Sequence, residues 1–148
     1  MPTSKVGRLY ASEVLKALGV ENPVWDQHGA YVLIMEDGLA FSITVDPGSD
    51  VITLRSPMNG PVEHRVFLER LLQANFLWRG TQRAVFVIEN NKPVLLLRVH
   101  PQHVSGQRFR ELAESFLNAA ANWDAASRQA WETGPADAEE TTVNHIRV

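Results

Sequence analysis

The sequence contains no cysteine among its 148 residues. This absence excludes a disulfide framework, a thiolate metal site and a cysteine nucleophile. It is typical of proteins that fold in a reducing cytoplasm, where disulfides rarely persist. Apolar residues make up 45% of the chain, and a chain of this length can bury a core without cross-links.

The sequence also lacks a cluster of positive charge and a long apolar run. The formal net charge is −3, and the 14 lysine and arginine residues are scattered, whereas nucleic-acid-binding proteins usually carry a clustered basic patch. No apolar run approaches the roughly 20 residues that span a membrane. Arg8, Glu13 and Lys16 interrupt the N-terminal segment, so no signal peptide is expected. We therefore expect a cytoplasmic protein that neither binds nucleic acid nor inserts into a membrane.

Recognised patterns of catalytic or cofactor-binding residues are missing as well. Neither of the glycine-rich phosphate-binding motifs, Gly-x-x-x-x-Gly-Lys and Gly-x-Gly-x-x-Gly, is present. His100 and His103 could be two metal ligands, but no carboxylate lies close to them in sequence, which favours a loop with exposed imidazoles. Asp26 and His28 share one loop, where a general-base role is the less favoured interpretation. We predict no catalytic residue, no metal site and no cofactor.

The pattern of apolar residues and turn signals predicts elements in the order α-β-β-β-α-β-β-α. Asp37-Gly38 and Asn90-Asn91 are hairpin signals, and Ser105 is a candidate helix N-cap. Two hairpins predict an α+β fold with a mainly antiparallel, twisted sheet on which helices pack. The predicted helices are 4–18, 62–75 and from 105 to at least 123, and the predicted strands are 31–36, 39–46, 50–56, 83–89 and 92–99. One domain is expected over residues 1–132, and residues 133–148 are expected to form an acidic, disordered tail.

The first hairpin decides which side chains share a face of the sheet. A two-residue turn at Asp37-Gly38 pairs Ile34 with Phe41 and Val32 with Ile43. The predicted core face is Val32, Ile34, Leu39, Phe41, Ile43, Ile52 and Leu54, and the opposite face carries Tyr31, Leu33 and Met35 beside Ala40, Ser42, Thr44, Thr53 and Arg55. Two interpretations of the three large apolar residues on that opposite face stay open. They are covered by another segment or exposed singly, or they form a docking patch for an extended apolar segment.

The second hairpin and the second helix carry more apolar surface than one intramolecular contact would cover. The hairpin is apolar on both faces, with Ala84, Phe86, Leu95 and Leu97 on one side and Val85, Val87, Val94 and Leu96 on the other. The apolar residues over about half of the helix circumference are Phe67, Leu68, Leu71, Leu72 and Ala74. A symmetric homodimer would cover both surpluses, and we favour it over a deeper core within one chain.

The segment Leu71–Thr81, with the sequence LLQANFLWRGT, resembles the LLxANxLxxxT signature of class I type III secretion chaperones, the Tir-chaperone (CesT-like) family. The apolar hairpin Ala84–Val99 and the helix Phe109–Trp123 are also similar to that family. The chain departs from the minimal family pattern in its extension beyond Trp123. The resemblance implies an α+β fold and a small, acidic, cytoplasmic homodimer from a bacterium with type III secretion.

The resemblance also implies a binding function without catalysis. Members of the family bind the N-terminal segment of a secreted effector in extended form, keep it competent for secretion and deliver it to the secretion ATPase. The first helix and early strands contribute grooves for the effector, which implies effector-binding roles for Leu9, Tyr31, Leu33, Met35, Thr44 and Thr53. The second helix and later strands form the dimer interface, which implies interface roles for Phe67, Leu68, Leu71, Leu72, Val85, Val87, Val94 and Leu96. The main alternative is a regulatory or adaptor domain of the same fold that binds a folded partner, and an enzyme with a site assembled from distant residues is a third hypothesis.

Overall fold

The computed structural model of the chain describes residues 6–35, 38–58, 60, 62–77 and 84–145, with side chains at all of these except 76, 77 and 127–145. In this part of the chain, helices pack on one face of a five-stranded antiparallel sheet. The helices are α1 (Val6–Ala17), α2 (Arg65–Leu77) and α3 (Gly106–His145), and a 3₁₀ helix, Pro101–His103, precedes α3. The strands are β1 (Ala30–Ile34), β2 (Ala40–Val45), β3 (Ile52–Pro57), β4 (Val85–Glu89) and β5 (Lys92–Val99). The predicted fold class and order of elements are confirmed.

The first helix is fixed at both ends by contacts that its sequence makes possible. Gly19 has a φ of +95°, and the Val20 N–H donates to the Leu15 carbonyl at 2.8 Å, which is the C-terminal cap that favours glycine. At the other end, the buried Asp50 side chain accepts a hydrogen bond of 3.0 Å from the Gly7 N–H. A Cβ atom at Gly7 would lie 2.6 Å from the Asp50 carbonyl oxygen, so only glycine fits there. α1 is thereby held against the turn between β2 and β3.

The strand order is β1-β2-β3-β5-β4, so β1 and β4 form the two edges of the sheet. The second hairpin turns at Asn90 and Asn91, whose φ angles are +53° and +62°, as a two-residue hairpin turn requires. Glu89 therefore pairs with Lys92, and the alternation along both strands follows from that pair. Ala84, Phe86, Leu95 and Leu97 are buried in the core, and Val85, Val87, Val94 and Leu96 lie on the other face. The predicted faces of the second hairpin are confirmed.

The predicted register of the first hairpin is wrong by one residue. The Met35 N–H donates to the Leu39 carbonyl and the Gly38 N–H donates to the Met35 carbonyl, each at 2.9 Å. Met35 therefore pairs with Leu39, so that three residues separate the paired positions in place of the predicted two. Gly38, with a φ of +88°, takes the left-handed position that closes such loops.

The longer loop exchanges the two faces of β1. Leu33, and not Ile34, pairs with Phe41, and a shift of one residue moves every side chain of a strand to the other face. The residues that lie half-buried against the core are Tyr31, Leu33 and Met35, and those that lie on the opposite face are Val32 and Ile34. The remaining predicted core-face residues, Leu39, Phe41, Ile43, Ile52 and Leu54, are buried as expected.

The last helix begins where the sequence predicts. The Ser105 hydroxyl oxygen accepts a hydrogen bond of 3.0 Å from the Arg108 N–H, as an N-cap does. The apolar residues of this helix face the core, with Phe109, Ala113, Phe116, Ala120 and Trp123 buried. The backbone of residues 133–145 continues α3, while residues 146–148 lie outside the described residues. Disorder of that acidic tail in solution stays a prediction.

Candidate partner-binding surface

The sheet face opposite the helices, here called the open face, is apolar at both ends and polar in its middle. It includes Val32 and Ile34 of β1, Ser42 and Thr44 of β2, Thr53 and Arg55 of β3, Val94, Leu96 and Arg98 of β5, and Val85 and Val87 of β4. Val32 and Ile34, the β1 patch, are 63% and 64% exposed. Val85, Val87, Val94 and Leu96 form a second apolar area, the β4–β5 patch. Hydroxyl groups and arginines separate the two patches.

The β4–β5 patch is partly covered by an ion pair. Val94 lies on the open face but is only 2% exposed. Arg55 of β3 and Glu89 of β4 form an ion pair, and β5 lies between these two strands. The register places Arg55 beside Leu96 and Glu89 beside Lys92, so the pair crosses β5 near Val94. The accessible part of the β4–β5 patch therefore consists of its half-buried residues, Val85, Val87 and Leu96.

The outer edge of β1 carries available backbone groups at Val32 and Ile34. In an antiparallel strand, the N–H and C=O groups of alternate residues point to the same side. The Asp26 N–H donates to the Ala30 carbonyl at 3.1 Å, and Asp26 Oδ1 accepts from the Ala30 N–H at 3.0 Å. Ala30 therefore points outwards, and Val32 and Ile34 point the same way. Among the residues that the structure describes, no partner occupies this side of Val32 or Ile34.

The outer edge of β4 is closed by α2. Asn75 Nδ2 donates to the Phe86 carbonyl at 2.9 Å, and the Phe86 N–H donates to Asn75 Oδ1 at 2.6 Å. The carboxamide makes the two hydrogen bonds that a neighbouring strand would otherwise make. Asn75 is also the asparagine of the LLxANxLxxxT resemblance, of which residues 78–81 lie outside the described residues. Sequence reasoning used this asparagine as a family marker and missed its contact; the only signal was its place at the end of a helix that precedes a strand.

An aromatic cluster joins α1, the following loop and β1. The Arg8 guanidinium lies 5.5 Å from the centroid of the Trp25 ring, within the range of a cation–π contact. The Trp25 and Tyr31 rings pack edge to face with centroids 6.3 Å apart. Leu9 and Val24, in the same helix and loop, are exposed. Apolar surface therefore continues from β1 towards α1 on the helix-covered side.

The residues predicted to bind an effector fall on both faces of the sheet. Thr44 and Thr53 pair with each other on the open face, and Leu9 is exposed on α1. The register shift places the other three, Tyr31, Leu33 and Met35, half-buried on the helix-covered face. The prediction that these three residues lie on an exposed face of the sheet is therefore wrong, and Val32 and Ile34 lie there in their place. Both faces of β1 present apolar side chains next to its outer edge.

The residues predicted to form a dimer interface divide into buried and accessible sets. Phe67 and Leu71 are each 1% exposed and belong to the core of the protomer, so they are not available to a second chain. Leu72, on the neighbouring face of α2, is 60% exposed, and Leu68 is half-buried. The accessible members of the predicted interface are Leu68, Leu72, Val85, Val87 and Leu96. The interface itself stays a prediction.

The polar side chains near this surface hold loops in place. Asp26 accepts hydrogen bonds from the N–H groups of Ala30 and His28, and these two bonds, in that order of importance, hold its pKa below the ordinary value.

His100 and His103 are exposed, with ring centroids 5.7 Å apart. In the described ranges, no three histidine, aspartate or glutamate side chains are grouped to bind a metal, and none of the helices is long and apolar enough to cross a membrane.

The chain is similar in sequence and structure to known proteins. The profile of the Tir chaperone protein (CesT) family matches residues 11–124. The ExsC–ExsE complex is similar with a TM-score of 0.67 and 18% identity, covering 84% of this chain and 95% of that chain. The HopA1–SchA chaperone–effector complex has a TM-score of 0.65 and 13% identity, covering 84% and 99%. The Yersinia pestis type III secretion chaperone SycH, bound to a fragment of YscM2, has a TM-score of 0.61 and 11% identity, covering 78% and 98%.

These matches differ in what they establish. No curated protein matches the chain significantly. The solved structures are too distant in sequence to show more than the fold. The family profile, in contrast, covers most of the chain, including α2, the second hairpin and the start of α3.

Proposed function

The chain belongs to the Tir chaperone protein (CesT) family, and we propose that it is a type III secretion chaperone that holds the N-terminal segment of a secreted effector in extended form. The observation that carries this proposal is β1, an edge strand with available backbone groups at Val32 and Ile34 and apolar side chains on both faces. The matched structures include a chaperone–effector complex and a type III secretion chaperone bound to a fragment of YscM2. They do not favour the alternative of an adaptor domain that binds a folded partner.

An extended segment suits this surface for a physical reason. A strand that joins the edge of a sheet satisfies its own main-chain donors and acceptors, while its side chains reach apolar patches on the two faces. A segment that is flexible before binding loses conformational freedom, and this ordering costs about 2–5 kcal/mol of the gross interaction energy. The result is a specific complex that can be dismantled before secretion. One substitution in the surface should weaken such a complex only in part.

A homodimer is the second element of the proposal. Leu72 is exposed on α2, and the β4–β5 patch is apolar with members that are still half-buried in one chain. Surfaces of this kind are typical of interfaces between copies of one chain related by a two-fold axis. Two protomers would offer one effector segment two β1 edges.

The remaining parts of the proposal concern where the protein acts. A chaperone of this family would work in the bacterial cytoplasm, without catalysis and without a cofactor. It would hand its effector to the secretion ATPase. These steps rest on the family membership.

The experiment that tests this function is a pull-down with the tagged full-length chain from a lysate of the source bacterium. Bound proteins are identified by mass spectrometry, and the complex is sized by light scattering after gel filtration. We expect two copies of the chain with one secreted protein, whose protected region maps by limited proteolysis to its N-terminal part.

A matched pair of variants makes the experiment specific. Val32→Asp places a charge on the β1 patch, whereas Ile88→Asp places the same charge on an exposed residue of β4, at the other edge of the sheet. We expect Val32→Asp to retain less of the secreted protein than Ile88→Asp does. A monomer that retains no secreted protein, or retains only a folded cytoplasmic enzyme, would contradict the proposal.

A further inference from the structure

The edge of β4 has little room for an additional strand. Because alternate residues point the same way, the residues of Val85–Glu89 that point outwards are Phe86 and Ile88. Asn75 occupies both backbone groups of Phe86. Among the described residues, β4 therefore offers Ile88 alone. The end of α2, which carries Asn75, also contacts β4.

The edge of β1 is closed at its beginning and open beyond it. Its outward residues are Ala30, Val32 and Ile34, and Asp26 occupies both backbone groups of Ala30. Two consecutive outward residues remain, and these are the shortest run on which a strand can make a repeated ladder of hydrogen bonds. Two polar side chains therefore cause the difference between the edges: Asn75 at the edge formed by β4 and Asp26 at the edge formed by β1.

We propose, on the basis of the chaperone function above, that Asn75 and Asp26 decide where the effector segment joins the sheet. Asn75 closes β4, which directs the segment to β1. Asp26 occupies the backbone N–H and C=O groups of Ala30, so that the stretch of β1 that pairs with the segment ends at Val32. Sheet edges in proteins are commonly protected against unwanted pairing, and among the described residues this protection leaves Val32 and Ile34 as a run of two available residues.

The surroundings of Val32 and Ile34 also determine which side chains the bound segment should carry. Residues of an added strand that lie opposite Val32 and Ile34 share the open face with these exposed side chains. The residue between them lies on the other face, beside the half-buried Leu33. A strand that meets apolar side chains on both faces reads as a continuous apolar run. The accepted core of the segment is therefore three or more consecutive apolar residues, favouring the β-branched types that fit a sheet.

The probe for this inference is a synthetic seven-residue peptide, Val-Ile-Val between two pairs of lysines. The measurement is amide exchange with solvent, followed by NMR on the full-length chain with and without the peptide. At a peptide concentration of about ten times its dissociation constant, exchange from the free fraction alone should be slowed about tenfold. We expect this slowing at the Val32 and Ile34 amides of the wild type and no change at Phe86 or Ile88.

Substitution of Asn75 or Asp26 should change which backbone amides exchange more slowly when the peptide is bound. Asn75→Ala should add slowing by the peptide at Phe86 and Ile88, whereas Gln73→Ala, an exposed amide on the same helix, should behave as the wild type. Asp26→Ala should extend the slowing to Ala30. Two variants keep the test valid even where Asn75→Ala folds poorly. Asp26 is exposed, so Asp26→Ala should fold. Asn75→Asp loses the donor to the Phe86 carbonyl but retains the acceptor for the Phe86 N–H.

The outcomes that would overturn the inference are specific. The first is slowed amide exchange at β4 of the wild type. The second is a set of slowed amides in both Asn75→Ala and Asp26→Ala that is the same as in the wild type. The third is no slowed exchange at either edge in any variant. The peptide replaces the effector in this experiment. The chaperone function can therefore stand while the edge assignment fails, and the edge assignment can stand while the pull-down recovers no secreted protein.

Discussion

β1 and β4 occupy equivalent places at the two ends of the sheet, and each is joined to its neighbour by a hairpin, yet they meet their surroundings differently. β4 lies against α2, which reaches the strand backbone through a carboxamide. β1 has a loop carboxylate at its first residue and available groups beyond it. The difference shows that the function of a sheet edge depends less on the strand itself than on which side chain of a neighbouring segment reaches it.

The largest expected effect concerns the helix that closes β4. Leu71→Ala removes a side chain that is 1% exposed, and we expect it to lower the free energy of unfolding by about 2–5 kcal/mol. Leu9→Ala, which truncates a leucine of α1 that is 57% exposed, should change it by about 0.5 kcal/mol or less. Urea unfolding followed by circular dichroism measures both. Equal losses in the two variants would show that α2 does not pack through Leu71 as described.

The next effect concerns the contact between α2 and β4. Asn75→Ala leaves the N–H and C=O groups of Phe86 without their partner, and an unsatisfied, partly buried polar group costs about 1–3 kcal/mol. The Phe86 amide should also exchange faster with solvent. Gln73→Ala is the control, because it removes an exposed amide from the same helix. A Phe86 amide that stays protected in Asn75→Ala would remove the basis for calling this edge closed.

A third prediction compares the two edges directly through one residue type. Ile34 on β1 and Ile88 on β4 are both exposed isoleucines whose backbone points outwards. Ile34→Lys should weaken binding of the effector about tenfold, or about 1.4 kcal/mol, and Ile88→Lys should leave it unchanged. Isothermal titration calorimetry with the secreted protein from the pull-down measures this difference. Similar weakening by both substitutions would erase the distinction between the edges.

The smallest effect is the protonation of Asp26. Hydrogen bonds from the N–H groups of Ala30 and then His28 hold its pKa below the ordinary value of 3.8. Because the folded-state pKa is lowered, the contribution of the carboxylate is present in full above the ordinary value and is lost as the pH falls through the lowered one. We expect the Ala30 amide resonance to shift as the pH falls below the ordinary carboxyl pKa, where Asp26 becomes protonated.

Asp26→Asn provides the control for that titration, because its side chain carries no carboxyl group. Asp46 also has a lowered pKa, through hydrogen bonds from the Ser49 side chain and then the Ser49 backbone, and it stays in place in this variant. A shift of the Ala30 amide resonance at acid pH that persists in Asp26→Asn would show that Asp26 does not hold the first residue of β1.

The two hairpins also show where the sequence is sufficient for prediction. Asn90-Asn91 provides two residues that tolerate positive φ, so the turn length and the faces of β4 and β5 follow from it. Asp37-Gly38 allows two solutions, because its glycine can sit within a two-residue turn or close a three-residue loop. The apolar residues of β1 do not decide between them, since Tyr31–Met35 is apolar at every position. One extra loop residue therefore exchanged the predicted core and surface of that strand.

Long-range contacts were the other part that sequence reasoning could not supply. The apolar arc of α2 was correct as a pattern, but which members face the core and which face solvent depends on how the helix packs on the sheet. Asn75 and Phe86 are eleven residues apart in sequence, and nothing local indicates that the carboxamide bonds the strand backbone.

The most direct test of the account is amide exchange in the purified complex of the wild-type chain with the secreted protein that it retains. We expect slowed exchange at Val32 and Ile34, unchanged exchange at Phe86 and Ile88, and protection of one short, continuous segment near the N-terminus of the partner. Protection spread through a folded domain of the partner, with Val32 and Ile34 exchanging as in the free chain, would contradict the claim that this protein holds an effector in extended form at the edge of β1.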